Sequence, residues 1–465
     1  EMLRSLVGSE MCIRDSYPPF FKENYMLRRK FLALASTAAS ATALAACAGT
    51  SSTNPQGGND KGGNGEVTEL TWWSNHPGTS KDIEKEIISR FEKENPDIKV
   101  NLVDAGKNYE EAAQKFNAAL TGQDLPDIVV LSDVWWYNFA INGQIANVDD
   151  LAKEAGIDLS TYVQPLYEDY NYDGGHFALP FARSTPLFYY NKDAWKKAGL
   201  PDRGPKSWDE MDEWSKKLAE ADSKMKPFGW GDAVDYLGWI FQGPLWSKGG
   251  AYSDEWDLKF TDDKTIKAVE WLKDITDEKN GYSYVGNDMA MEFGTGRAAA
   301  TVLSTGDLAG LTDTAKFELG TAFLPNPTGE GACPTGGAGL AIPAGISKNR
   351  QLAAIKLIDF ITNEENTCYW SQNVGYMPVR STAVDNENQK KFMKDNPNFE
   401  TAIKQLPETR PQDNARVFLP GADQEIGGAF EKIVTNRDDV TKVLTDLQTT
   451  LQSIYDNQVK TVINK

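Results

Sequence analysis

Reactive side chains are scarce in this sequence, and their types narrow the chemistry it can do. There are two histidines, His76 and His176. No His cluster is available for a zinc centre of the usual kind, so no metal is expected. A Ser-His-Asp triad would have to use one of the two, and neither stands in a recognisable context. Four cysteines, Cys12, Cys47, Cys333 and Cys368, are far too few for a disulfide scaffold. Asp and Glu number 67. No pair of them stands in a context that marks the acid and base of a glycosidase. There is no GxGxxG or GKS/T motif, and no cofactor is expected.

The same composition excludes whole classes of partner. The formal net charge is -19. Nucleic-acid affinity rests on neutralising phosphates with Lys and Arg, so no nucleic acid is expected. Aromatic residues make up 11% of the chain, with 13 Trp. Most must be core, yet such a surplus suits a protein that stacks rings on small ligands. At 465 residues, two lobes, or one large domain with tails, is the expected size class.

The front of the chain reads as an address. Met26 opens a secretion signal with Arg28, Arg29 and Lys30 as its positive region, followed by an Ala-rich apolar stretch over 31–46. Leu44-Ala45-Ala46-Cys47 resembles the bacterial lipobox, in which Cys becomes the lipid-carrying N-terminus. The paired arginines leave both the general secretion route and the twin-arginine route open. Residues 5–15 resemble translated adapter sequence, so 1–25, with Cys12, is read as a non-native leader. The boundaries are then 26–46 for the signal peptide and 47–65, rich in Gly, Ser and Asn, for a flexible lipidated tether.

The elements that must position any site follow. Residues 67–73 read as a strand. Residues 80–95 read as an amphipathic helix, with Ile83, Ile87 and Phe91 at spacing four and Asn95-Pro96 as its stop. Residues 98–102 alternate as a strand, 109–121 form a helix, and 127–131 form a buried strand. Strands alternating with helices imply an α/β lobe with a largely parallel sheet. Ligands bind beyond the carboxyl ends of such strands, which points to the loops around Asn75, Asn108 and Ser132-Asp133. A second α/β set follows: a strand at 187–190, a helix opened by the capping box Ser207 to Glu210, an amphipathic helix at 264–277 and a strand at 299–303. The glycines at 336, 337 and 339 mark close backbone approach. A long helix over 439–464 carries Val440, Leu444, Leu447, Leu451 and Ile454 on one stripe.

At Pro180-Phe181-Ala182-Arg183-Ser184-Thr185-Pro186-Leu187-Phe188-Tyr189-Tyr190-Asn191-Lys192-Asp193 the sequence resembles the maltose-binding-like solute receptors of ABC importers. Within them it looks closest to the glycerol-3-phosphate and glycerophosphodiester receptors. Support comes from Phe91 to Pro96, Tyr282-Ser283-Tyr284-Val285-Gly286, Pro334-Thr335-Gly336-Gly337-Ala338 and Gly375-Tyr376-Met377-Pro378-Val379, with Asn396-Pro397 beyond. The similarity runs from about residue 66 to the C-terminus. It implies an α/β, two-lobed periplasmic-binding-protein fold of type II. Each lobe is a mixed, mostly parallel sheet flanked by helices, with the cleft between lobes. Lobe 1 is expected at 66–181 and 338–380, and lobe 2 at 182–337 and 381–465.

The resemblance implies ligand contacts at Tyr109, Asp133, Ser184, Ser304, Gly337 and Tyr376. Asp133 replaces a Glu, and its carboxylate can accept two hydroxyl protons, as polyol recognition needs. Tyr236 and Trp239 are expected to form an aromatic wall, with Trp73 and Trp135 as further candidates. The phosphate-holding Arg of the glycerol-3-phosphate receptors is absent from the matching stretch 419–429. That shifts the expected ligand toward a neutral sugar or polyol, keeping glycerophosphate open if Arg183 or Arg416 substitutes. Cys333 and Cys368 are a candidate disulfide, since an exported protein meets oxidising conditions. The expectation is a monomeric, lipid-anchored, extracytoplasmic receptor that hands its ligand to ABC permease subunits and is not an enzyme. The alternative from another class is a secreted lipoprotein glycosidase.

Overall fold

The computed structural model describes residues 68–76, 79–122, 124–233, 236–327 and 333–463. The expected leader, signal peptide, tether and Cys47 lie outside these residues. Ten strands form two five-stranded sheets: β1 (Thr68–Ser74), β2 (Ile98–Asp104), β3 (Ile128–Ser132), β4 (Leu179–Ser184), β5 (Pro186–Asn191), β6 (Phe228–Gly231), β7 (Ser283–Gly286), β8 (Ala300–Ser304), β9 (Leu319–Ala322) and β10 (Gly336–Ala341).

The first sheet has the order β2-β1-β3-β10-β4. β1 runs parallel to β2 and β3, in register from Thr68 against Ile98 to Ser74 against Asp104. β10 is antiparallel to both β3 and β4. The apolar runs explain the burial: every residue of β3 and of β4 is buried, as expected for strands covered on both faces. The helix Thr79–Glu94 lays Ile87 and Phe91 on this sheet, and the helix Lys348–Ile361 adds Ile355 and Ile358. The period-four spacing read from Ile83, Ile87 and Phe91 is the face that packs.

The second sheet has the order β7-β6-β8-β5-β9. β6, β7 and β8 are parallel, while β5 runs antiparallel to β8 and β9. Phe188, Phe228, Trp230 and Val302 meet Trp208, Met211 and Leu272 from the covering helices. Burial of each such side chain contributes about 1.5–3 kcal/mol. Ser207 caps the helix Trp208–Ala221 by accepting from Glu210 N. The return half of the expected box is displaced: Glu210 accepts from Lys206 N and pairs with Arg203. The C-terminal stripe packs as expected, burying Val440, Leu444, Leu447 and Leu451, but α-helix ends at Ile454 and a π-turn follows over Tyr455–Val459.

The chain passes between sheets at Thr185, where β4 becomes β5, and again just before β10. Met377 bridges Arg183 beside these crossings. These crossings join the two sheets, and one hydrophobic cluster spans both.

The expected disulfide is corrected. Cys333 and Cys368 are both free and buried. Cys333 Sγ lies 3.6 Å from the Pro186 carbonyl at the crossing. Cys368 Sγ lies 3.8 Å from the Ala383 carbonyl. Burial raises both thiol pKa values, that of Cys368 to about 12, which keeps them protonated and inert. Among the described residues, no helix is long and apolar enough to cross a membrane.

Candidate functional site

The carboxyl ends of β1 and β3, the β4–β5 crossing and the start of β10 converge on one region. Asp133 follows β3 directly. Its backbone N donates to Gly337 O at 3.0 Å, and its Oδ1 accepts from Val134 N at 3.0 Å. Its Oδ2 accepts from Gln412 Nε2 and stands 3.7 Å from Arg416 Nη1. Burial raises the Asp133 pKa, while Arg416, Arg183 and Gln412 oppose the rise. Arg416, only 3% exposed, also donates to Gln412 and pairs with Asp423 at 2.7 Å. Its Nε has no partner.

Tyr109 opens the helix Tyr109–Ala119, whose first turn is capped by Asn108 accepting from Glu111 N. Its hydroxyl lies 3.1 Å from that of Tyr376. Tyr376 reaches this place because Gly375, at φ +103°, ends the helix Glu364–Val374 in a left-handed turn. Its ring stacks on Trp370, with centroids 6.0 Å apart. Burial raises the pKa of both phenols, that of Tyr376 to about 12, so both remain hydrogen-bond donors at neutral pH. Tyr236 and Asp133 are close enough to bear electrostatically on Tyr109.

Glycine decides the approach at the crossing. Gly337 has φ +94°, and a Cβ there would sit 2.1 Å from Ala182 O. A Cβ on Gly336 would fall 2.5 Å from the Trp239 ring. Trp239 is therefore pressed onto bare backbone, with its Nε1 donating to Thr335 O at 3.0 Å. Ser184 stands opposite Gly336 in register. Ser304 ends β8, and its Oγ accepts from Gly306 N at 3.0 Å. Gly306 in turn lies against the Tyr376 ring.

The residues singled out in the sequence thus gather around one junction. The expected aromatic wall divides: Trp239 is buried, while Tyr236, at φ +64°, is 45% exposed. Trp73 carries Lys115 over its ring at 4.4 Å, and Trp135 stacks on Phe139. Arg183 is fully buried and engaged by Asp169 and by Tyr170 Oη, and its Nε, like that of Arg416, has no partner.

Two features had no signal in the sequence. Gln412 joins Asp133 to Arg416 from a coil segment that no motif marks. His76 lies behind Tyr109, its Nε2 at 3.4 Å from the phenol and its Nδ1 at 3.1 Å from buried Glu84. The other histidine is remote in role: His176 stacks on Tyr167 and bonds Asp149. Among the described residues no group of three or more His, Cys, Asp or Glu is arranged to hold a metal.

A family profile described as "Bacterial extracellular solute-binding protein" matches residues 86–401. The chain is 33% identical over 363 residues to the sn-glycerol-3-phosphate-binding periplasmic protein UgpB of Shigella flexneri, covering 73% of this chain and 81% of that one. It is similar to the crystal structure of UgpB from Mycobacterium tuberculosis in complex with glycerophosphocholine. There the identity is 50% and the TM-score 0.81, over 85% of this chain and all of the other. The maltose-bound MalE3 of T. maritima shares the fold at 22% identity and TM-score 0.73, over 83% of this chain and all of that one.

Proposed function

Because the chain belongs to the bacterial extracellular solute-binding protein family, serving ABC importers from outside the cell, we propose that its ligand is a glycerophosphodiester or glycerol-3-phosphate. The lobes close on it by the hinge motion of such receptors. One observation carries the ligand class: a buried guanidinium, Arg416, stands beside a buried carboxylate, Asp133, with its Nε unpartnered. A phosphate oxygen gives that guanidinium a partner. Asp133 accepts protons from the glycerol hydroxyls. The hydroxyls of Tyr109, Tyr376, Ser184 and Ser304 add donors, and Gly337 leaves the backbone accessible. Relatives named for glycerol-3-phosphate or bound to glycerophosphocholine support the same class.

A second reading, a neutral sugar or polyol, is favoured by the missing Arg in 419–429 and by the flanking of Arg416 with Asp133 and Asp423. Calorimetric titration with glycerol-3-phosphate, glycerophosphocholine and a panel of neutral sugars separates the two. Binding of a phosphate compound that weakens with added salt and is lost in Arg416→Gln is the expected result. Sugar binding without phosphate binding would overturn it.

The relatives are binding proteins, and no glycosidase turnover is expected: chromogenic glycosides should remain intact. The protein works as a monomer held to the outer face of the membrane through lipid on Cys47, delivering its ligand to permease subunits.

A further inference from the structure

His76 is a buried group behind the site that the ligand reading leaves without a role. It is only 7% exposed, and its ring is boxed edge to face by Tyr109, Phe181, Trp370 and Tyr376, with centroids between 5.3 and 5.9 Å away. A ring packed on all sides keeps one orientation, so its two nitrogens keep fixed partners. Nδ1 faces Glu84 Oε1 at 3.1 Å, and Nε2 faces the Tyr109 hydroxyl at 3.4 Å. Glu84 is 1% exposed and its Oε2 has no partner. Ser74 Oγ, 3.0 Å from Nδ1, gives its own proton to Glu84 Oε1 at 2.5 Å. A carboxylate only accepts, so the imidazole nitrogen that faces it carries a proton. In a neutral ring that leaves Nε2 as a lone pair aimed at Tyr109.

We propose that His76 is a positioning residue that draws the Tyr109 proton inward and so makes Tyr109 a hydrogen-bond acceptor toward the ligand. The inference rests on the reading above, in which Tyr109 touches the ligand. The protons run in one direction, from Tyr109 O–H to Nε2 and from Nδ1–H to Glu84. With its proton spent, the Tyr109 oxygen accepts from Tyr376 O–H at 3.1 Å or from a ligand hydroxyl. Of the four hydroxyls offered to the ligand, Tyr109 alone is turned in this way, and Tyr376 keeps a proton to give. Asp133, close enough to bear on Tyr109, is a second acceptor. Two acceptors at one end favour a ligand that brings hydroxyl protons there and disfavour an ionised phosphate oxygen, which brings none. His76 thereby fixes which end of a glycerophosphate meets the phenols.

The test combines nitrogen NMR of the imidazoles with calorimetry on the full chain. The chain holds two histidines, and His176→Gln assigns the signals of each. His76 should carry its proton on Nδ1 and none on Nε2. Glu84→Gln keeps the shape but can donate as well as accept, so an Nε2–H form should appear. The ligands are glycerol-3-phosphate and its two analogues with one hydroxyl replaced by fluorine, which cannot donate. Each analogue should bind the wild type roughly two- to ten-fold more weakly, the net worth of one hydrogen bond. Glu84→Gln and His76→Phe should shrink that gap for one analogue only, the one missing the hydroxyl that Tyr109 accepts. His76→Phe keeps a ring in the aromatic box, and Glu84→Gln keeps the test open should His76→Phe fail to fold. A proton on Nε2 in the wild type, or a gap unchanged in both variants, would overturn the positioning role while the ligand class stands. If only a neutral sugar binds, the ligand class falls, and the tautomer then decides the role of His76: Nδ1–H supports it and Nε2–H overturns it.

Discussion

Asp133 combines a strand-end position with the recognition role proposed for it. Its Oδ1 turns the chain by accepting from Val134 N, while Oδ2 faces Gln412 and Arg416. Asp133→Asn keeps the shape and removes the charge. It should weaken ligand binding by about 1.5–3 kcal/mol for each hydrogen bond that a charged acceptor made to a ligand hydroxyl, as read by calorimetry. Asp169 has its titration moved toward neutral pH. Its folded pKa, about 6, lies above the ordinary carboxylate value because burial penalises the charged form and Arg183 only partly offsets it. A raised acid pKa adds stability that is complete below the unfolded value near 4. That contribution is lost as pH rises through 6 and then stays constant. Arg183 left without a partner would destabilise Asp169→Asn, but equally at every pH, because a guanidinium does not titrate in this range. Urea unfolding should therefore show the wild type losing about 2–3 kcal/mol, relative to Asp169→Asn, between pH 4 and 7. Parallel pH profiles for the two proteins would contradict this assignment.

At the scale of elements, β10 is the strand on which the site depends. It pairs with β3 and β4 and carries Gly336 and Gly337 at the crossing, where side chains have no room. Gly337→Ala would force a Cβ to within 2.1 Å of Ala182 O at a positive φ. The expected cost exceeds about 1 kcal/mol of stability, with ligand affinity falling too, because β4 and Asp133 are bonded to the same strand. Thermal unfolding and titration of the variant check both. The neighbouring elements show how far local sequence rules reach. Ser207 and Asn108 cap helices as their residue types require. The stripe from Val440 to Leu451 packs at helical period. Glu210 departs from its box because Arg203, brought close by the preceding loop, competes for its carboxylate.

At the scale of the whole molecule, side-chain bonds join segments far apart in the chain around Asp133 and Glu110. Gln412 and Arg416 reach Asp133, and Gln424 Nε2 donates to Glu110 Oε2 at 2.7 Å. These partners lie between 279 and 314 positions apart in the chain. A receptor that docks on a permease gains from being tethered. On the proposed lipid anchor, Cys47→Ser should move the protein from the membrane to the soluble fraction, since it would lose acyl burial of about 0.8 kcal/mol per CH₂. Cell fractionation reads this directly, and unchanged retention in the membrane would remove the lipid anchor.

The sequence by itself determined the alternation of strands and helices, the caps and the apolar faces, because each depends on neighbours within a few residues. It also determined the class of protein, through a local run from Pro180 to Asp193 and the motifs around Gly337 and Tyr376. Only the tertiary structure decided which arginine stands beside Asp133. Arg183 and Arg416 look alike in sequence, yet one is consumed by Asp169 and Tyr170 while the other stands beside Asp133. It also decided that Cys333 and Cys368 stay apart, each against its own carbonyl. Such outcomes depend on which distant segments the two sheets bring together, and no spacing along the chain encodes a distance across the cleft.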